Sequence, residues 1–216
     1  MGAREMALAE DGLYVALEAE ELVVAPGADA ALLHRLKEGD RGAFEELVSS
    51  YQGLVFDLAF RLLGDREEAQ DVAQEAFLKV FRHVGAFRGE SGLKTWLYRI
   101  TVNQASNHRR WWHRRRRRDT FSLDSAGADA LPLAERLSAR GASPEQVALG
   151  RERERRLMAA LDTLKQDFRV AVVLRDIQEL SYDEIAETLE ISVGTVKSRI
   201  ARGREELRKR LQESGV

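Results

Sequence analysis

The sequence predicts an all-α protein, two small helical domains joined by a flexible linker, on three observations. Apolar residues recur at helical spacing through residues 30–118 and again from Ser143 onward. No segment of useful length alternates apolar and polar residues as a half-buried strand would, and no internal repeat is present. The chain's three prolines, Pro26, Pro132 and Pro144, all fall between the periodic segments. The expected organisation is an acidic leader over 1–29, a first domain over 30–118, a linker over 119–143 and a second domain over 144–212.

The leader carries seven acids against one arginine, and its "LYVALEAEELVV" has a short helical pattern without a strong cap. In the first domain the clearest pattern is "DREEAQDVAQEAFLKVFRHV". Ala69, Val72, Ala73, Ala76, Phe77, Val80 and Phe81 follow i, i+3, i+4, i+7 spacing and make one apolar face. Asp71, Gln74, Glu75, Leu78 and Arg82 share the other side, a pattern that fits a solvated face first, while the apolar Leu78 leaves a partner surface open. The loop "FRGESG" follows, then a long helix from about Leu93, with Leu93, Leu97 and Ile100 on its buried side. Arg99, Asn103, Ser106 and Arg110 recur at spacings of four, three and four as a polar stripe. Trp96 sits at the boundary, open to a core or a base-stacking role. The helix runs into "NHRRWWHRRRRRD", thirteen residues with seven arginines, two histidines and two tryptophans. By itself such a charge run fits a solvated linker, but arginine clusters bind phosphates and interleaved aromatics stack on bases, so at the end of a structured helix a polyanion contact is the alternative.

Residues 119–143 are small, polar and aperiodic, the composition of a linker. Ser143 is placed to cap the next helix with Pro144 in its first turn. Leu157, Leu161, Leu164, Val170, Val173, Leu174 and Ile177 are the expected core of the second domain. In "LSYDEIAETLEISVGTVKSRIARGREELRKRL", Ser181 and Glu184 form a capping box and Ser192 caps the following helix. Val193, Val196, Ile200, Leu207 and Leu211 line one face of that helix. Thr195, Ser198 and Arg202 point the other way, with Arg199 nearby and Lys197 at the rim. This is a helix-turn-helix whose polar, basic second helix suits the major groove.

Composition closes off several alternatives. With 216 residues and 44% hydrophobic content the chain can build real cores, and with no cysteine it has neither disulfides nor thiolate metal sites. No apolar run approaches a membrane span, and "MGAREMALAEDG" has charges where a signal peptide needs an apolar stretch, so a cytoplasmic protein without membrane insertion is expected. His34, His83, His108 and His113 are scattered, and no HExxH pair, phosphate-binding glycine loop or nucleophile elbow occurs. No catalytic residue, metal site, cofactor or small-molecule substrate is therefore expected. The formal net charge of −2 hides segregation: Lys197–Arg210 holds seven basic residues and two glutamates, a second basic patch besides the arginine run. Two patches on two modules suit a long anion such as DNA.

Three blocks carry a family resemblance: "GDRGAFEELVSSYQGLVFDLAFRLLGDREEAQDVAQEAFLKVF", "FRGESGLKTWLYRITVNQASNHRR" and "LSYDEIAETLEISVGTVKSRIARGREEL". In order and spacing they resemble regions two and four of the extracytoplasmic-function sigma factors, promoter-specificity subunits of bacterial RNA polymerase. The resemblance implies that the helix matching residues 65–84 docks on core polymerase through Asp71, Gln74, Glu75 and Leu78. It implies that the loop Phe87, Arg88, Gly89, Glu90 and Ser91, with Asn103 and Arg110, engages a base flipped from the minus-ten element and its surroundings. Thr195, Lys197, Ser198, Arg199 and Arg202 would read the minus-thirty-five element. Core RNA polymerase, promoter DNA and an anti-sigma factor are the partners it implies. The acidic leader departs from the compact family pattern. A helix-turn-helix regulator acting without polymerase is the rival reading, but its sensor domain is usually α/β, and residues 30–118 carry no strand signal.

Overall fold

Two aspartates set where the long helices of the first half begin. The Asp40 side chain accepts from the Gly42 N–H at 2.8 Å, and the Asp65 side chain accepts from the Glu68 N–H at 2.9 Å. Each satisfies a backbone donor that a first helical turn leaves free. The computed structural model describes residues 28–87, 89, 91–116 and 144–213. Its first half holds α1 (Ala28–Lys37), α2 (Arg41–Leu63), α3 (Arg66–His83), a 3-10 turn at Val84–Ala86 and α4 (Leu93–Arg116). Gly64 ends α2 in the left-handed region at φ 80°, with its N–H on the Phe60 carbonyl at 2.8 Å. That conformation costs a side-chain-bearing residue more than glycine.

The second half holds α5 (Pro144–Thr163), α6 (Gln166–Val172) with a π turn at Val173–Ile177, α7 (Tyr182–Leu189) and α8 (Val193–Glu213). Among the described residues there is no strand, and no helix is long and apolar enough to cross a membrane. Pro144 opens α5 as expected. The leader pattern, the Ser143 cap and the linker at 119–143 lie outside the described residues.

The apolar stripes meet as the periodicity requires. Leu47, Val55, Ala76, Phe77, Val80, Leu93, Trp96 and Leu97 are buried together where α2, α3 and α4 pack. Trp96 is a core residue, its ring 4.6 Å from that of Phe87. Phe81 departs from expectation: it is 57% exposed, touching only the edge of Phe44 among the aromatic rings. It lies about 100° round the helix from Val80, at the rim of the stripe near the end of α3. In the second half Gly203 marks the closest crossing of α6 and α8. A Cβ there would lie 2.6 Å from Val172 Cγ2 and 3.3 Å from the Phe168 backbone oxygen, so only glycine lets the two helices approach this closely.

The two halves pack against each other. A single buried cluster runs from Leu58, Leu62, Tyr98, Val102 and Ala105 of the first half to Leu161, Leu164, Val170 and Val173 of the second. Around it sit two buried arginines that helical periodicity does not anticipate, Arg61 and Arg169.

Candidate nucleic-acid and protein surfaces

Three surfaces hold the residues singled out by sequence. On α3, Asp71, Gln74, Glu75 and Leu78 are all exposed, opposite the buried stripe of Ala69, Val72, Ala73, Ala76, Phe77 and Val80. Lys79 donates to Gln104 at 2.9 Å and ties α3 to α4, while Glu75 faces Arg82 at 3.7 Å. Leu78 is 37% exposed, and the more exposed Phe81 lies one turn beyond it. The face is thus an exposed helix surface on which Asp71 and Glu75 precede the apolar Leu78 and Phe81.

The second surface is the loop before α4 together with the stripe along α4. Phe87 is buried against Trp96, and Lys37 lies 5.8 Å from its ring, so its side chain holds the loop onto the core. Gly89 is exposed with φ 76°, and Ser91 is half-buried. Arg88 and Glu90 lie outside the described residues. On α4 Asn103 is exposed, and among the described residues no partner engages it. Arg110 is exposed, donating to the Ser106 carbonyl at 3.3 Å and to Asn107 at 3.0 Å. Arg99 pairs with Glu190 at 3.3 Å, and Ser106 accepts from Gln166 at 3.3 Å. A cleft of about 500 Å³ separates the loop from α7, lined by Phe87, Ser91, Trp96 and Arg99 on one side and Glu187 and Glu190 on the other. Trp111 and Trp112 stand exposed near the end of α4 as an edge-to-face pair 5.8 Å apart.

The third surface is α8. The capping box of α7 is complete, with the Ser181 N–H on Glu184 at 2.7 Å and the Glu184 N–H on Ser181 at 3.2 Å. Glu190 turns the chain in the left-handed region at φ 55°, and Ser192 caps α8 by accepting the Thr195 N–H at 3.2 Å. Val196, Ile200 and Leu207 are buried, with Val193 and Leu211 half-buried beside them. The opposite side chains differ in how free they are. Thr195 shares its hydroxyl with Ser192 at 2.8 Å, and Ser198 donates to the Thr195 carbonyl at 2.9 Å. Lys197 is exposed but lies 5.7 Å from the Tyr182 ring, and Arg199 is held by Asp167 at 2.7 Å. Arg202 is exposed, and among the described residues no hydrogen bond or ion pair engages it.

Sequence reasoning missed the polar groups between the two halves. Arg169, wholly buried, donates to the Leu62 carbonyl at the end of α2 at 3.0 Å and to Asp162 at 3.1 Å. Burial first, and Arg109 second, lower its pKa to about 10. Arg61 lies between Asp57 at 3.3 Å and Glu154 at 3.6 Å. Gln178 joins the halves directly, accepting from the Tyr98 hydroxyl at 3.0 Å and donating to Asp57 at 2.8 Å. Burial, and then the Asp57 charge, push the Tyr98 hydroxyl well above its ordinary pKa, so it stays a donor. One signal was available: "LAFRLLG" and "DFRVAVVL" each set an arginine inside an apolar run, where a solvated one would break the face.

Residues 47–118 match the family Sigma-70 region 2, and residues 154–207 match Sigma-70, region 4. The chain is 42% identical over 188 residues to the RNA polymerase sigma-H factor of Pseudomonas aeruginosa, a match covering 85% of this chain and 94% of that one. It is 36% identical to the ECF RNA polymerase sigma factor SigW of Bacillus subtilis, over 84% of this chain and 95% of that one. Among solved structures, CnrH in complex with the cytosolic domain of CnrY superposes with a TM-score of 0.61 at 23% identity, covering 87% of this chain and 99% of that one. The sigma factor RpoE of Bartonella quintana, solved with the anti-sigma factor NepR, gives 0.61 at 24% identity over 78% and 96%. At these identities the two structures establish a shared fold.

Proposed function

The chain belongs to the extracytoplasmic-function sigma factors of bacterial RNA polymerase, and from that premise we propose how its three surfaces divide the work. It binds core polymerase and directs initiation at promoters through their minus-ten and minus-thirty-five elements; it is an initiation factor and not an enzyme. One observation carries this: regions 2 and 4 occur in order along a chain that spans 94% of a sigma factor at 42% identity.

The α3 face presents Asp71, Gln74, Glu75 and Leu78 to core polymerase. Its support is the coincidence of exposed acids and an exposed leucine on a helix whose other side is locked in the core. The loop from Phe87 to Ser91 and the exposed Asn103 and Arg110 engage the minus-ten element. Phe87 serves this surface by fixing the loop from beneath. On α8, Arg202 is the side chain most available for a base edge, since a bidentate arginine contact to guanine needs a free guanidinium. Lys197 and Ser198 flank it. Arg199 and Thr195 hold α8 in place through Asp167 and Ser192 and reach DNA from there.

An anti-sigma factor is the expected regulator, as the anti-sigma factor NepR accompanies the sigma factor RpoE of like fold. The protein works in the cytoplasm, where polymerase is. The test is run-off transcription: core polymerase with this protein should produce transcripts from upstream regions that the protein enriches, and core alone should not. Absence of any polymerase-dependent transcript from those regions would sink the reading.

A further inference from the structure

A second cleft carries chemistry that the three surfaces do not use. It holds about 480 Å³ and is walled by Ser106, Arg109 and Arg110 of α4 on one side and by Lys165, Gln166 and Asp167, where α5 turns into α6, on the other. Small-ligand sites span roughly 300–1,000 Å³. A cleft of this size with two walls admits a small molecule and not a duplex.

Positive charge is in excess there. Asp167 is already held by Arg199 at 2.7 Å. Arg109 and Arg169 crowd onto the same two acceptors: the Leu62 carbonyl accepts from them at 3.4 and 3.0 Å, and Asp162 Oδ1 at 3.3 and 3.1 Å. Burial first, and the Arg109 charge second, hold the Arg169 pKa down, as expected of neighbouring cations short of counter-charge. Among the described residues no carboxylate pairs with Arg110 or with the exposed Lys165. The neutral groups complete the chemistry. Ser106 accepts from Gln166 at 3.3 Å and keeps its own O–H as a donor, while Gln166 Oε1 is buried without a hydrogen-bond partner among the described residues. Guanidinium forks and an ammonium group both take phosphate oxygens. Cations on two walls suit two linked phosphates better than one, and a sugar hydroxyl would satisfy the Gln166 oxygen.

We propose that this cleft binds a diphosphate group, free or as part of a nucleotide, with Arg109 and Arg110 on one wall and Lys165 on the other taking its oxygens. The test uses the free full-length chain, so its outcome is independent of promoter activity. In isothermal titration calorimetry, pyrophosphate and a nucleoside diphosphate should each bind saturably at an ionic strength held constant with sodium chloride. At ten times Kd the thermal midpoint should rise by about 3–6 °C. Lys165 precedes α6 without capping it through its side chain, so Lys165→Gln should fold as the parent does and weaken binding at least about tenfold. Lys209→Gln makes the same charge change outside the cleft and should bind as the parent does. Tighter binding of the nucleoside diphosphate would support a nucleotide as the ligand, and equal binding would support inorganic pyrophosphate. Three results overturn the proposal: no saturable heat with either probe, parent-like binding by Lys165→Gln, or equal weakening by Lys209→Gln, which would reduce the effect to the general field of the chain.

Discussion

Leu78→Glu is the perturbation that bears most directly on the docking face. Full burial of a leucine side chain contributes about 1.5–3 kcal/mol. Leu78 is already covered on α3 except for the 37% that remains exposed, so docking can add about 0.6–1.1 kcal/mol of apolar burial at most. Glutamate loses that term and adds a carboxylate one turn from Glu75, which must be desolvated against the partner. The two effects together come to about 2 kcal/mol, a weakening of roughly 30-fold in Kd. Leu78→Ala removes only the apolar term and should cost about fivefold. The assay is fluorescence anisotropy of labelled chain titrated with core polymerase, with circular dichroism to confirm unchanged helicity. Stability should fall by at most about 1–2 kcal/mol, the burial that Leu78 already has on α3. Binding of Leu78→Glu within twofold of the parent would place the docking surface elsewhere on the chain.

Three further outcomes separate the remaining surfaces. Arg202→Ala should cost holoenzyme about 1–3 kcal/mol on cognate promoter DNA and relax preference at one upstream position, read by binding to point-mutated promoters. Replacing the arginines at 114–118 with glutamine should weaken binding on all sequences alike and flatten the salt dependence, measured over a salt series with the same DNAs. A uniform defect from Arg202→Ala, or a sequence-specific one from 114–118, would reverse the two assignments. Gly203→Ala should destabilise by about 1–3 kcal/mol in urea unfolding, because its Cβ would overlap Val172 unless α6 and α8 move apart.

What could be read from sequence was set by local physics. The capping box at Ser181 and Glu184, the Ser192 cap, the proline at the head of α5 and the long α4 all follow from short-range rules of helix ends and periodicity. The exposed set on α3 follows from its buried set by subtraction. Phe81 escaped because periodicity assigns a direction around the helix and not whether a neighbour exists there; near the end of α3 only Phe44 comes close among the rings. Trp96 could not be placed because its position borders two faces, and Phe87, a loop residue from elsewhere in sequence, decides for the core. The burial of Arg61 and Arg169 depends on contacts between residues about 100 positions apart, such as Arg169 with Leu62. No window of sequence contains both partners.

The segregated charge acquires a second use from those contacts. Acids and arginines that a linear reading assigns to separate partners also meet one another between the modules: Glu154 with Arg61, Asp162 with Arg109, and Glu190 with Arg99. Apolar residues of similar volume would close this joint more tightly, since burying ion pairs returns less than it costs in desolvation. The ion pairs hold the modules in register, while Arg61 Nη1 and Arg169 Nε and Nη2 are buried beside them without a hydrogen-bond partner among the described residues. The polar groups at this joint fix its register more than they add to its stability.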